Sequence, residues 1–456
     1  MKETKNGSIF SRWLEAASVY RDRRMVLVLL LGFSSGLPLA LTASTLTLWL
    51  AREGVDKASI GLFALVGTPY GFKFLWAPLV DRLGFPPFTR WLGRRRGWLM
   101  VSQLTLLAAI LALGTADPAH QPVWTALLAL AVSFLSATQD IVIDAYRVEI
   151  LPPRLQGAGA GVIVLGYRVG MLTSGAGALY VAHGAGWFAA YALMAALMGV
   201  GLLATLLFAE PPPPAGEGLA SSAPSAAAPS AAGGWSWRRL RHWLRGAVVD
   251  PFADFLRRPG WFTILAFILL YKFGDALAGV MINPFYVEMG FSEMDIANAS
   301  KSFGMAATIA GGLLGGVVVS RLGVMPSLLV CGVLQLLSNG MFTLLALAGH
   351  SLPLLFLAVG VENLTGGLGT AAFVAYLSSL CHVAYTATQY ALLSSFMAAG
   401  RTLLASSGGW LALQVSWPLF FLLTAAAALP GLLLWFRLPN AESPPESASF
   451  SPAASI

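Results

Sequence analysis

Six ionisable residues interrupt long apolar runs of the chain, and their types and positions are suited to binding or proton transfer. Each lies between roughly one third and two thirds of the way along its run, at the 1.5 Å rise per residue of an α-helix. A charge inside a membrane is costly unless it faces a polar cavity. We therefore expect these side chains to line one water-accessible cavity: Lys73, Arg168, Lys272, Asp275, Glu362 and Arg401.

Asp140 and Asp144 form a separate acidic pair, next to Gln139 in the fourth apolar run. Residues four apart share one helical face, and two like charges that close in a low dielectric favour binding of a proton by at least one of them. Proton uptake and release is what a proton-coupled carrier needs. Alternatively, Arg147, three residues beyond Asp144, forms a structural ion pair with it. The spacing leaves both interpretations open.

Glu362 has no cation near it in the sequence and stands beside Asn363 at the start of a glycine-rich stretch. A lone carboxylate at mid-membrane depth favours a proton site. Asp275 follows Lys272 by three residues, so this pair either takes part in transport or simply neutralises itself. We predict four proton-coupling residues: Asp140, Asp144, Asp275 and Glu362.

The two arginines in apolar runs, Arg168 and Arg401, remain charged at any physiological pH. Their guanidinium groups are suited to binding an anionic group of a substrate. The alternative is that each braces neighbouring helices. Lys73 and Lys272 are further candidates for binding an anion.

A basic loop after the second apolar run contains a possible gate. Asp81 and Arg82 end that run, and the sequence GRRRG at 93–97 begins the next. A carboxylate there can pair with arginines of neighbouring helix ends and hold the inner side closed. We predict a cytoplasmic gate formed by Asp81, Arg82 and Arg147. The alternative is that these charges only set the topology.

Twelve apolar runs are each long enough to cross a hydrocarbon core of about 30 Å. Roughly three quarters of the 28 Lys and Arg residues lie on one side of these runs, which we call the basic side, whereas the opposite loops hold only Arg52 and Lys57. An excess of Lys and Arg in short loops marks the cytoplasmic side, so we expect both termini there. The runs are 26–50, 59–80, 98–116, 123–146, 158–182, 187–209, 261–288, 296–320, 326–348, 352–378, 385–411 and 416–437.

The chain divides into two halves around a linker at 210–260, which is rich in Pro, Ala and Ser and ends in a basic, tryptophan-containing segment that predicts an amphipathic helix at the membrane surface. A cytoplasmic lead-in (1–25) precedes the first six-helix bundle (26–209), and a disordered tail (438–456) follows the second (261–437). The sequence DRLG at 81–84 recurs as SRLG at 320–323, at the same place in the second half. The prediction is an all-α polytopic membrane protein with twelve transmembrane helices in two six-helix bundles, the layout of the major facilitator fold.

Composition excludes several other classes of protein. The chain is 57% apolar and 11% charged, which no soluble domain of this length shows. Its net charge of +7 is explained by topology and lipid headgroups, so we expect no nucleic-acid partner. A phosphate-binding loop, a metal-ligand spacing and a nucleophile with a plausible base are all missing from the sequence. We therefore predict a non-enzyme without cofactor or metal, driven by an ion gradient or by the gradient of its substrate.

Motifs along nearly the whole chain resemble those of the AmpG family of muropeptide permeases, within the major facilitator superfamily. Any one of them is weak evidence, but together they are specific. In the first half they are GFSSGLPLALT (32–42), FKFLWAPL (72–79), GRRRGW (93–98), QDIVIDA (139–145), GAGAG (157–161) and LGYRVGM (165–171). In the second half they are YKFGDA (271–276), ENLTGGLGT (362–370) and ATQYALL (387–393).

The resemblance implies proton-driven import of N-acetylglucosaminyl-1,6-anhydro-N-acetylmuramyl peptides from periplasm to cytoplasm, in the bacterial inner membrane. It also implies roles in cell-wall recycling and in induction of β-lactamase. Two alternatives stay open, which are a carrier of another amphiphilic anion and a non-transporting receptor or assembly factor with this fold. Some members of the family carry a further pair of spans at the C-terminus, whereas here the sequence stops after the twelfth run. If that pair shapes the substrate pathway, we expect a different substrate range here.

The implied substrate suggests a set of binding residues. Peptide carboxylates and the lactyl-derived group need cations, and sugar rings stack on aromatic rings, although lipid-facing or core packing is the commoner role of such rings. We predict a monomer in the lipid bilayer whose substrate site contains Lys73, Trp76, Gln139, Tyr167, Arg168, Tyr271, Lys272, Asn363 and Arg401.

Overall fold

A computed structural model describes residues 15–55, 59–60, 63–211, 250–382, 385–405 and 407–438 of the chain. Within these ranges the secondary structure is helical, without strands. Nine helices in the described part are long and apolar enough to cross a membrane, so the prediction of an all-α membrane protein is confirmed. The predicted amphipathic helix of the linker, most of the lead-in and nearly all of the tail lie outside the described residues.

We number the helices α1 to α12 in the order of the predicted spans. Eight of them are single helical stretches, and one of these, α7, is interrupted by a turn at residues 271–272. The eight are α1 (Arg23–Arg52), α3 (Arg94–Gly114), α4 (Pro122–Ile150), α7 (Trp261–Glu288), α8 (Met294–Leu322), α9 (Val324–Ala348), α10 (Leu352–Ser379) and α12 (Trp417–Trp435). Two are built from shorter pieces. These are α2, with Phe63–Gly67, Thr68–Phe72, Lys73–Leu75 and Ala77–Arg82, and α11, with Thr386–Ala405 and Ser407–Gln414.

The helical stretch Pro153–Leu207 contains a sharp change of direction at Gly186. The Thr45 hydroxyl of α1 donates to the Ser174 carbonyl at 2.7 Å, whereas the Tyr191 hydroxyl reaches back to the Leu41 carbonyl at 3.3 Å. The chain therefore reverses between residues 174 and 191. Gly186 has φ 86°, which glycine adopts without the steric cost of a side chain. We call the two arms α5 (153–185) and α6 (187–207); the count of twelve spans stays a prediction.

Glycines bring α1 and α5 into close contact within the first half. A Cβ atom at Gly36 would collide with the backbone of Tyr167, and one at Gly166 would collide with that of Leu29. Membrane helices associate largely through such close packing, because the surrounding lipid tails provide little hydrophobic driving force between helices. These glycines of α1 and α5 thus serve packing, and they fix the level of Arg168 beside the middle of α1.

The two halves meet at the basic side of the molecule. Helix α5 packs on α8 where Gly161 contacts Gly312 and where Ala158 contacts Gly316. The first turn of α11 contacts the end of α2, because Thr388 bonds to Asp81. All of these contacts lie nearer the basic ends of their helices than the polar cavity described next.

Candidate substrate cavity and gate

A polar cavity of about 570 Å³ lies between the two halves, at a level beyond their basic-side contacts. Five of the six predicted mid-depth charges line it, Arg168 from the first half and Lys272, Asp275, Glu362 and Arg401 from the second. Two of its lining residues, Arg401 and Thr402, are exposed, so the cavity is not sealed by the described protein. Its volume is in the range of small-molecule binding sites. The prediction that these five charges share a cavity is correct, whereas their roles stay predictions.

Lys272 and Asp275 form an ion pair inside this cavity. The Lys272 Nζ lies 3.7 Å from Asp275 and also donates to the Thr370 hydroxyl at 3.2 Å and to the Gly366 carbonyl at 3.3 Å. Asp275 accepts a further bond from the Gln335 side-chain amide. Lys272 sits at the turn between the two pieces of α7 that end at Leu270 and begin at Phe273. The two charges thus largely compensate each other.

Arg168 and Arg401 differ from that pair, because neither has an ion-pair or hydrogen-bond partner within the described residues. They approach the cavity from different halves, on α5 and α11. A guanidinium group always carries its charge, so an unpaired arginine in a polar cavity is available to an anion. The cavity consequently offers two positive groups that the protein itself leaves unneutralised.

Glu362 lies in the same cavity with a neutral neighbour. Its Oε2 accepts from the Asn363 side-chain Nδ2 at 2.7 Å, and the side-chain Oδ1 of Asn363 accepts from the Thr308 hydroxyl at 2.8 Å. Considering only the side chains that the structure describes, no lysine or arginine is at ion-pair distance from Glu362. A carboxylate that is neither clamped by a cation nor fully hydrogen-bonded can exchange a proton with solvent in the cavity.

A second polar cluster lies within the first half. Asp140 accepts from the Ser35 hydroxyl at 2.6 Å, and the Lys73 Nζ lies 3.5 Å from Asp144. The buried Tyr70 hydroxyl has no hydrogen-bond partner. Lys73 was expected in the central cavity, and that expectation is wrong. Because α2 is a series of short α and 3₁₀ pieces, depths counted at the α-helical rise do not apply to it.

Arg147 does not form the predicted alternative ion pair with Asp144. Its guanidinium donates to the Gln156 side-chain oxygen Oε1 at 3.3 Å and, across the interface, to the Ser378 hydroxyl at 3.1 Å. It also lies 5.4 Å from the centre of the Tyr390 ring. Its Nε is buried without a partner. Arg147 therefore contacts both halves at the basic side, the location expected of a gate residue.

Besides Lys73, four residues predicted to bind substrate lie outside the lining of this cavity. The buried Gln139 side chain donates to the Ser34 carbonyl at 3.1 Å. The Tyr271 hydroxyl donates to the Leu328 carbonyl at 2.8 Å, and the Trp76 indole donates to Thr138 at 3.1 Å. Each thus holds neighbouring helices together, because a buried polar group needs a partner. Tyr167 also lies outside the lining, next to Arg168, with its backbone against Gly36.

Asp81 is the centre of the predicted gate. Its carboxylate accepts from the backbone amides of Ala387 and Thr388, at 3.2 and 2.8 Å, and from the Thr388 hydroxyl at 2.6 Å. These donors belong to the first turn of α11, where the helix dipole also favours a negative charge. Asp81 therefore connects the end of α2 to the beginning of α11 across the interface. Arg82 lies half-buried at the end of α2.

Arg95, which is fully buried under the predicted gate, was not among the predicted gate residues. Its guanidinium lies 2.8 Å from Asp81 and 2.5 Å from Glu149 at the end of α4. Three consecutive arginines in a loop indicated only topology, so nothing distinguished the middle one. The stripe of Gly366 and Thr370 beside Lys272 was also missed. Its spacing of four residues from Glu362 to Gly366 to Thr370, on one face of α10, is the signal that could have found it.

Two helical halves around a polar cavity, with contacts between the halves at one end, are the layout of a secondary transporter. The sequence profile of the Major Facilitator Superfamily matches residues 28–351 and 302–456. A proton:xylose symporter is similar in fold, with a TM-score of 0.60 at 12% identity over 94% of this chain and 96% of the symporter. A human organic anion transporter has a TM-score of 0.59 at 18% identity, over 94% of this chain and 100% of that chain.

Sequence relatives narrow the class. The chain is 43% identical to the anhydromuropeptide permease of Escherichia coli K12 over 91% of this chain and 80% of the permease. It is 33% identical to the putative transporter AmpG 4 of Rickettsia felis, over 92% of this chain and 97% of that protein. The chain belongs to the AmpG family of permeases within the major facilitator superfamily. It is a multi-pass membrane transporter and not an enzyme, as the sequence motifs predicted.

Proposed function

We propose that the protein imports N-acetylglucosaminyl-1,6-anhydro-N-acetylmuramyl peptides from the periplasm to the cytoplasm, by proton-coupled alternating access. The relative that is 43% identical is named for anhydromuropeptides, which supports this class of substrate. Cell-wall recycling and induction of β-lactamase are the cellular roles that follow from such an activity. The bacterial inner membrane is the site of this transport.

The observation that carries the proposal is the pair of unneutralised arginines, Arg168 and Arg401, at the cavity between the halves. Muropeptides carry carboxylates on the peptide and the lactyl-derived group, and guanidinium groups bind carboxylates in a directed, two-point manner. The hydroxyls of Thr308 and Thr402 and the amide of Asn363 provide donors and acceptors for sugar hydroxyls. Because Arg168 and Arg401 belong to different halves, an anion that binds to both of them couples substrate binding to the relative movement of the halves.

Glu362 and Asp140 are the proposed principal proton carriers. Glu362 lies in the substrate cavity, and Asp140 lies in the first half with Ser35 as its donor. Asp144 and Asp275 each have a lysine at ion-pair distance, so they follow as secondary candidates. The proton gradient, rather than a bound cofactor, is the proposed source of energy.

The basic side is the proposed cytoplasmic side, because Lys and Arg in short loops favour that orientation. Both termini then lie in the cytoplasm. The contacts of Asp81 and Arg147 close this side, and the cavity is open to solvent. The described conformation is consequently the proposed periplasm-facing state, which is ready to receive substrate.

Uptake of radiolabelled anhydromuropeptide into proteoliposomes, with an imposed pH gradient, tests this function. We expect accumulation that requires an acidic outer side and that a protonophore abolishes. The variant Arg437→Ala, which removes an exposed charge far from the cavity, serves as a control and retains uptake. Absence of uptake by folded protein refutes the proposed substrate. Uptake that is unchanged by the protonophore refutes only the proposed proton coupling.

A further inference from the structure

A second cavity, of about 440 Å³, lies on the bilayer-facing surface of the molecule, separate from the polar cavity. Two of its residues, Val26 and Leu314, are 54% and 51% exposed, so it is open to the surroundings of the helices. Apart from the Tyr20 hydroxyl its lining is apolar. We call this cavity the lateral groove, and it is lined by Ala17, Tyr20, Met25, Val26, Leu29, Val162, Leu165, Leu313, Leu314 and Val317.

The lateral groove is shared by the two halves. Helices α1 and α5 form one wall and α8 forms the other. The segment before α1 crosses from the first half to the second, because the Tyr20 hydroxyl donates to the Leu313 carbonyl and the Ser320 hydroxyl donates to the Ala16 carbonyl at 3.3 Å. The groove therefore exists in this form only while α5 and α8 are packed together at the basic side.

Exposed arginines surround the end of the groove nearest the basic side. Arg21, Arg23 and Arg24 follow directly after the lining residue Tyr20, and Arg154 lies in the turn that precedes α5. Two carboxylates partly compensate these four arginines: Asp22, which lies 4.0 Å from Arg24, and the exposed Glu15, two residues before the lining residue Ala17. The rim keeps a positive excess, next to an apolar slot that is open to the hydrocarbon core.

We propose that the lateral groove binds an acyl chain of an anionic phospholipid whose phosphate lies against these arginines. Basic pockets between membrane helices bind anionic headgroups in this manner, and an apolar slot of this kind is suited to a lipid tail. A lipid seated there touches both halves, so it stabilises the form that is closed at the basic side. This inference needs only the membrane location and does not depend on the substrate proposed above.

Binding is tested with the full-length protein in detergent, by native mass spectrometry and thermal unfolding with added phosphatidylglycerol. Phosphatidylcholine with the same acyl chains and glycerol phosphate without chains are the comparison ligands. We expect one retained phosphatidylglycerol and a rise in Tm that neither comparison ligand reproduces. An equal effect of phosphatidylcholine means ordinary boundary lipid only, and an equal effect of glycerol phosphate means an anion site without a tail; either result overturns the proposal.

Variants separate the headgroup from the tail. The double variant Arg23→Gln/Arg154→Gln should weaken phosphatidylglycerol binding by roughly tenfold or more, since each cation near a membrane surface contributes to anionic lipid affinity. Leu314→Trp should fill the groove and abolish retention, whereas the matched control Leu337→Trp, on the exposed face of α9, should leave it unchanged. Unchanged retention in both groove variants contradicts the proposal.

A measurement on the unaltered protein covers the case in which a variant does not fold. Phosphatidylglycerol with a photoreactive group on its acyl chain is cross-linked, and the labelled peptides are identified by mass spectrometry. We expect labels on α1, α5 and α8 at the groove, competed by unlabelled phosphatidylglycerol. Labels spread evenly over the other bilayer-facing helices refute a specific site.

Discussion

Replacing Asp81 with asparagine should open the basic side of the molecule. In the closed form Asp81 accepts three hydrogen bonds from Ala387 and Thr388 of the other half. Hydrogen bonds to a charged group contribute roughly 1.5–3 kcal/mol each, and asparagine keeps part of this bonding. We therefore expect the Asp81→Asn variant to lose about 3 kcal/mol of closure free energy, which corresponds to roughly a hundredfold shift in the equilibrium between closed and open forms.

The fold should survive this change, because the buried Arg95 keeps its ion pair with Glu149 at 2.5 Å. Removing a partner of a buried ion pair is strongly destabilising when it leaves the other charge uncompensated, and here Glu149 still compensates Arg95. The expected effect is thus on the conformational equilibrium of the transporter and only secondarily on its stability.

Alkylation of Cys381 by a maleimide measures this opening. Cys381 lies three residues beyond Ser378, the partner of Arg147 at the interface, and the buried Cys331 is first replaced by serine. We expect alkylation of the Asp81→Asn variant to be about a hundredfold faster than that of the parent. Replacement of the exposed Asp117 by asparagine is the matched control. An unchanged or slower rate would show that these bonds do not hold the gate closed.

Three further predictions concern the charges of the two halves. Arg147→Met should raise thermal stability and slow transport, because its buried guanidinium has no carboxylate partner and an unbonded Nε; a lower Tm contradicts this. Asp140→Asn and Glu362→Gln should each abolish gradient-driven accumulation and retain part of substrate exchange, and normal accumulation by either variant excludes it as a proton carrier. Arg168→Ala and Arg401→Ala should each weaken substrate affinity by about ten- to a hundredfold, measured by calorimetry, and unchanged affinity would leave only a bracing role.

The sequence predicted that five charges share a cavity because a charged side chain avoids lipid. Its depth in the membrane can be counted from the sequence where the helix is regular. Arg168, Glu362 and Arg401 lie on such helices, and depth along the run was a sufficient guide. The same counting failed for Lys73, since the broken helix α2 does not advance at a constant rise. Such breaks in a helix depend on tertiary packing, and the pattern of apolar residues in the sequence does not predict them.

The hydrogen-bond partners of polar side chains between helices could not be predicted from the sequence, for another reason. Asp81 lies at the contact between the halves and its gate role stays a prediction, but its partners there include backbone amides of α11, which residue types do not indicate. Likewise, Gln139 and Tyr271 have the polar groups of a binding site, yet both bond to backbone carbonyls between helices. Residue type indicates what a side chain can bind. Whether the side chain bonds to a neighbouring helix or is available to a substrate depends on the fold.

The charges of the cavity suggest how proton and substrate binding are coupled. Lys272 and Asp275 cancel, which leaves Arg168 and Arg401 against Glu362, a net charge of +1 when Glu362 is ionised and +2 when it is protonated. A unit charge several ångströms away contributes on the order of 2 kcal/mol at an effective dielectric constant of about 20. An anionic substrate should therefore bind more tightly to the protonated cavity, and by linkage each ligand favours the other.

Glu362→Gln imitates the protonated cavity, and this distinguishes the coupling role from a direct contact with substrate. We expect the variant to bind anhydromuropeptide roughly tenfold more tightly than the parent at neutral pH or above, with little dependence on pH, while parent affinity falls as pH rises. The disaccharide without its peptide has fewer carboxylates and should show a smaller difference. Weaker binding by the variant at every pH would mean that Glu362 contacts the sugar as a hydrogen-bond acceptor, and the electrostatic coupling between proton and anion in this cavity would then be wrong.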